Sequence, residues 1–156
     1  MTGCSDSVGE EGSAADEFYF QWHITERCNK HCRHCYQDGA HSNELPFGQL
    51  ERVLDIMSQA VTAWGRRGTL SLTGGEPFLR RDDLFALARR VDADDAFAHY
   101  DILTNGSLVD DATSEELTKL KKLRRMQVSL EGGTPQVNDA IRGDGSFDET
   151  LQAMRT

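Results

Sequence analysis

Thr69-Leu70-Ser71-Leu72-Thr73-Gly74-Gly75-Glu76-Pro77 reads as a short β-strand stopped by a glycine pair. Its threonines suit a pleated ribbon, its leucines seek burial, and two glycines with a proline close behind end it. Upstream, Pro46 opens a predicted helix whose apolar residues Phe47, Leu50, Leu54, Met57, Val61 and Trp64 step by three and four, so they share one stripe. Gly65 and Gly68 are read as its end. Further upstream, Phe18, Phe20, Trp22 and Ile24 alternate and predict a first strand, with His23 on the opposite face as a satisfied core histidine.

The same unit repeats downstream. Asp82 or Asp83 is placed to cap a helix carrying Leu84, Phe85, Leu87, Ala88 and Val91. Tyr100–Thr104 is a third strand closed by Asn105-Gly106. Thr113 and Glu116 have the spacing of a capping box for a helix bearing Leu117, Leu120 and Leu123. Met126–Leu130 is a fourth strand closed by Gly132-Gly133, and Ser146 with Glu149 opens a last helix whose stripe begins at Leu151 and Met154. Strand and helix alternate throughout, which predicts an α/β fold with a parallel sheet. The expected architecture is part of a TIM-like (βα) barrel, about four parallel strands, with the fourth at an open edge. Residues 17–156 then form the N-terminal part of a longer core domain, truncated at its C-terminus.

The formal charge is −9 and no basic face stands out, which argues against a nucleic-acid binder. Residues 1–16 are rich in Gly, Ser and acids and predict a disordered tail, with Cys4 an incidental thiol in it. There is no signal-like N-terminus and no apolar run of about 18 residues, so neither secretion nor a membrane span is expected. Three of four cysteines fall within eight positions, a metal-site pattern more than a disulfide framework, and the expected compartment is the reducing cytoplasm.

Those cysteines, Cys28, Cys32 and Cys35, have the spacing C-x3-C-x2-C directly after the first strand. Three thiolates so close suit an iron–sulfur cube with one iron left without a protein ligand. They also suit, less well, structural zinc completed by His31, His34 or His41. In parallel α/β sheets, ligands bind beyond the carboxyl ends of the strands. Every polar cluster lies at such an end: the cysteines, Gly74-Gly75-Glu76, Thr104-Asn105-Gly106, and Ser129 with Glu131. Four strand ends are therefore expected to converge on one site. Taken singly, the glycine pair and Asn105-Gly106 are also ordinary turns, and Glu131 and Arg142 ordinary surface charges.

Together these segments resemble the radical S-adenosylmethionine (radical SAM) enzymes. Cys28-Asn29-Lys30-His31-Cys32-Arg33-His34-Cys35 is similar to the family's cluster motif, in which the position of His34 is usually aromatic. Thr73-Gly74-Gly75-Glu76-Pro77 resembles the second motif, whose backbone holds the methionyl amino group. Val128-Ser129-Leu130-Glu131-Gly132, then Asn138 to Gly143 and Gly145-Ser146-Phe147, resemble the branch with a C-terminal SPASM-type domain. That branch includes maturases of ribosomally made peptides, sulfatase-activating enzymes and some haem-pathway enzymes.

The resemblance runs from about Trp22 to Phe147. It implies that Cys28, Cys32 and Cys35 hold a [4Fe–4S] cluster whose open iron chelates S-adenosylmethionine, and that an electron cleaves the sulfonium to a 5′-deoxyadenosyl radical. It implies that Gly74 and Gly75 bring backbone close to the cofactor, that Glu76 accepts from its amino group, that Ser129 and Arg142 take its carboxylate, and that Glu131 takes its ribose. Asn105 and His34 join the cofactor-binding set. The implied partners are a peptide or protein substrate and an electron donor such as a flavodoxin or ferredoxin. The competing readings are a sulfatase-activating or haem-pathway enzyme, and a zinc-stabilised module without catalysis.

Overall fold

Strand β1 (Glu17–His23), helix α1 (Phe47–Ala63), strand β2 (Arg67–Thr73), helix α2 (Arg81–Ala93), strand β3 (Phe97–Thr104), helix α3 (Asp111–Leu117), strand β4 (Leu123–Val128) and helices α4 (Pro135–Arg142) and α5 (Ser146–Arg155) follow one another along the chain. This computed structural model describes residues 16–37 and 44–156; the tail expected over 1–16, apart from Asp16, and His41 lie outside them. The strands form one parallel sheet in the order β1-β2-β3-β4, as the alternation predicted.

Register divides the sheet into two chemistries, because in-register partners share a face. Trp22, Leu72, Ile102 and Met126 form one row, and Gln21, Ser71, Asp101 and Arg125 the neighbouring row. The first row belongs to the core with Leu50 and Leu54 of α1 and Leu84, Leu87, Ala88 and Val91 of α2. Burying each large side chain contributes about 1.5–3 kcal/mol. On the second row the register slips between Tyr100 and Asp101, leaving Arg124 as an extra residue on β4. Both Arg124 and Arg125 then reach the buried Asp101 carboxylate at 2.8 Å.

Several sequence expectations are corrected. Gly65, at φ 63°, does end α1, but Gly68 lies inside β2, where a Cβ would stand 2.6 Å from the Phe97 ring. Asp82 and Asp83 sit in the first turn of α2 and do not cap it, because a 3-10 turn over Pro77–Arg80 leads into the helix. Asp110 caps α3, accepting from the Thr113 backbone N–H at 2.7 Å. Leu123 begins β4 instead of ending a helix. Ser146 is not a cap either; Gly145 precedes α5 at φ 79°, and the buried Ser146 hydroxyl donates to Asp139 and accepts from Asn138. The inward face of α5 carries Thr150 and Ala153, while Met154 is exposed. Helix α4 was not foreseen; Pro135 at its first turn presets the backbone.

Candidate functional site

The cysteine loop leaves β1 and folds back across the end of β2. Gly75 N–H donates to the Thr25 carbonyl at 2.9 Å and Glu76 N–H to the Arg27 carbonyl at 2.8 Å. The glycine pair is explained by this crossing. A Cβ on Gly74 would lie 2.4 Å from the Thr25 carbonyl oxygen, and one on Gly75 2.2 Å from that of Arg27. Glycine here admits the loop's own backbone, a steric need that precedes any ligand.

Three further elements fix the loop. At the β3 end, Asn105 Nδ2 donates to Asn29 Oδ1 at 3.0 Å, and Asn29 Nδ2 donates to Ser107 Oγ at 2.9 Å. At α4, Arg33 N–H donates to the Ile141 carbonyl at 2.8 Å. At α5, Lys30 pairs with Glu149 at 2.5 Å. Asn29, Lys30, Arg33 and Ser107 were not singled out in the sequence, because their work depends on partners 76 to 119 residues away in the chain or on the turn that brings them there.

A pocket of about 400 Å³ opens at these strand ends. Cys28, Cys32, Cys35, His34, Gly74, Gly75, Asn105, Ser129 and Arg142 all line it, together with Gln21, Thr73 and Leu103, which sequence reasoning did not select. A larger hollow of about 730 Å³ by the start of α2 contains none of the cysteines. Its Arg80 is committed to the Ile24 and Leu45 carbonyls and to Asp83.

Two expected residues do not line the pocket. Glu76 is fully buried, and its carboxylate accepts from Thr104 Oγ1 at 2.8 Å, Phe78 N–H at 3.0 Å and Asn105 N–H at 2.8 Å. It fastens the end of β2 to the end of β3. Burial pushes its carboxyl above the usual range, against the pull of those three donors. Glu131 instead accepts from Arg142 at 2.8 Å and pairs with His34 at 3.3 Å. The Arg142 hydrogen bond holds Glu131 below the usual carboxylate range. His23 is half-buried and meets Tyr36 and Gln37 of the loop at 3.3 Å, so it is satisfied at the loop and not in the core.

Two metal chemistries place different demands on the donor set. Tetrahedral zinc needs four donors about 2.0–2.3 Å from a single ion. Among the described residues no three His, Cys, Asp or Glu side chains gather to hold one ion. A cube spreads its thiolates over separate irons, and three thiols around one pocket fit that arrangement. Burial pushes the Cys32 thiol up; Arg142 opposes it, and Cys28, Cys35 and Glu131 add to the rise.

Residues 22–156 match the family model of the radical SAM superfamily. The chain belongs to the radical SAM superfamily. Members of this superfamily use a [4Fe–4S] cluster and S-adenosylmethionine. The chain is 33% identical over 141 residues to the mycofactocin maturase MftC of Mycobacterium tuberculosis, covering 86% of this chain and 32% of that protein. It is 32% identical over 142 residues to the GTP 3′,8-cyclase of Limosilactobacillus fermentum, covering 88% and 41%. The chain thus spans less than half the length of these curated relatives. The crystal structure of Streptococcus suis SuiB bound to precursor peptide SuiA has the same fold over 88% of this chain and 29% of that one, with a TM-score of 0.67 at 23% identity. The four-stranded sheet corresponds to part of a radical SAM TIM-like barrel. Among the described residues no helix is long and apolar enough to cross a membrane.

Proposed function

We propose that Cys28, Cys32 and Cys35 hold the [4Fe–4S] cluster of a radical SAM enzyme that modifies a ribosomally made peptide or protein. The observation that carries this reading is the convergence of the three thiols, the Gly74-Gly75 turn, Asn105, Ser129 and Arg142 on one pocket at the carboxyl ends of parallel strands. When bound, the cluster supplies an electron that cleaves S-adenosylmethionine to methionine and a 5′-deoxyadenosyl radical.

The chain's own residues bind and orient. The strand end at Gly74-Gly75 offers backbone to the cofactor's amino group, and Ser129 with Arg142 takes its carboxylate. Glu76 acts through the frame: with its carboxylate filled by three donors, it keeps the ends of β2 and β3 together. Glu131 orients Arg142 and His34. Residues 17–156 serve as part of the core domain of a SPASM-type enzyme reduced by a flavodoxin or ferredoxin, with the cytoplasm as its compartment.

The peptide assignment rests on the MftC likeness and on the sequence motifs at Ser129–Phe147. The cyclase likeness, at nearly equal identity, favours a second reading: a nucleotide substrate. Anaerobic reconstitution with iron and sulfide is expected to give about four irons per chain and an electron paramagnetic resonance signal that S-adenosylmethionine perturbs. A protein that takes up no cluster, or a signal indifferent to the cofactor, overturns the proposal. Stimulation of 5′-deoxyadenosine release by guanosine triphosphate but by no precursor peptide replaces the peptide reading with the nucleotide one.

A further inference from the structure

We infer that Asn105 and Arg142 set the reduction potential of the cluster by donating N–H···S hydrogen bonds to two of its three thiolate ligands. This inference rests on the proposed cluster site. Asn105 Nδ2 lies 3.8 Å from Cys28 Sγ, and Arg142 Nη1 lies 3.9 Å from Cys32 Sγ. Cys28 Sγ also accepts from the Lys30 backbone N–H at 3.4 Å. Cys35 is exposed and receives no such donor among the described residues.

Both side-chain donors are held in place by other contacts. The Asn105 carboxamide oxygen accepts from Ser107 N–H at 2.9 Å and Ser107 Oγ at 2.7 Å, which fixes the amide so that its NH2 faces Asn29 and the thiol. Arg142 gives Nε and Nη2 to Glu131 at 3.2 and 2.8 Å and turns Nη1 to the sulfur, where one of its two hydrogens suffices and the other stays free for the cofactor's carboxylate. Glu131 in turn pairs with His34, so the order extends to the residue before Cys35.

Reduction adds one electron from an external donor to the cluster and breaks no bond. The added charge spreads onto the thiolate sulfurs, where an N–H donor stabilises the reduced state more than the oxidised one. Removing a donor makes the potential more negative. Arg142 supplies a hydrogen bond and a full positive charge, so its two contributions separate by substitution.

The test is a dithionite titration of the reconstituted chain, without S-adenosylmethionine, followed by electron paramagnetic resonance alongside iron and sulfide content. Asn105→Ala and Arg142→Met are each expected to make reduction about tenfold less favourable, about 59 mV for one electron. Arg142→Gln keeps an N–H and loses the charge, and is expected between Arg142→Met and the unsubstituted chain. Where Arg142→Met fails to hold its irons, Arg142→Gln and Asn105→Ser carry the same measurement. Full iron content with an unmoved midpoint in these variants overturns the inference and leaves the cluster site standing. An unsubstituted chain that takes up no cluster overturns both.

Discussion

The helix-covered face of the sheet and the rim at its carboxyl end are held by different physics. Trp22, Leu72 and Ile102 are buried in a row that needs only apolar area and close packing. The rim is held by directional bonds: Gly75 and Glu76 N–H to the root of the cysteine loop, Glu76 to three donors, Asn105 to Asn29. Area tolerates small errors of position, whereas a hydrogen bond weakens steeply with misalignment. Damage to the first region is therefore expected to unfold the chain, and damage to the second to leave a folded chain with a misplaced loop.

The largest effect belongs to the core. Leu72→Ala removes a fully buried side chain from the core and is expected to cost about 2–5 kcal/mol, read by denaturant unfolding. The contrasting change is Gly75→Ala. Its Cβ would meet Arg27 backbone at 2.2 and 2.5 Å, so the loop root must move. The expected stability loss is about 1–3 kcal/mol with the helical circular dichroism retained, and iron uptake falls far more than stability does. Equal iron uptake by Gly75→Ala and the unsubstituted chain would erase the proposed division.

Glu76 sharpens the comparison, because it is a rim residue with core burial. Glu76→Gln keeps the shape but turns an NH2 toward one of three donors, at an expected cost of about 1–3 kcal/mol. Its pH signature has a definite sign. Burial raises the Glu76 carboxyl in the folded state, so the folded chain holds this proton more tightly than the unfolded chain. Its contribution to stability is therefore greatest below the ordinary carboxylate range and declines as pH rises through the raised value. Glu76→Gln is expected to lose that slope. Asp101 has the opposite sign: burial pushes it up, but Arg124 and Arg125 pull it below the usual range, so its stabilisation is lost as pH falls. Acid titration of Asp101→Asn against the unsubstituted chain checks that sign.

How far these regions could be read from sequence follows the same line. The rows of the core were legible because Phe20, Trp22 and Ile24, or Leu70 and Leu72, announce a face by alternation within a few residues. The strand ends were legible because glycine marks them. Cap identity was not: Thr113 with Glu116 matched a capping box, yet Asp110, one turn earlier, offered its carboxylate to the same N–H. The cysteines announced a metal site by spacing alone. What they could not announce was the side-chain direction of Glu76, which turns to Thr104 and Asn105, or the Arg142 contact to Cys32 across 110 residues. Those depend on how strand ends far apart in the chain are brought together, which no local pattern encodes.

The smallest expected effect tests whether charge or direction secures the loop. Lys30 reaches Glu149 of α5 at 2.5 Å, but the glutamate is nearly half exposed at 43%. Solvent and salt screen such a pair, so Lys30→Ala is expected to cost under about 1 kcal/mol, a loss that shrinks further as salt rises. Iron uptake should be nearly unchanged, since the Lys30 backbone N–H to Cys28 survives the substitution. A large loss of iron at high salt in the unsubstituted chain would show instead that the ion pair carries the loop. In that case the directional bonds at Gly75, Asn29 and Arg33 would be followers of the charge contact, and the contrast between core and rim would have to be drawn as area against electrostatics.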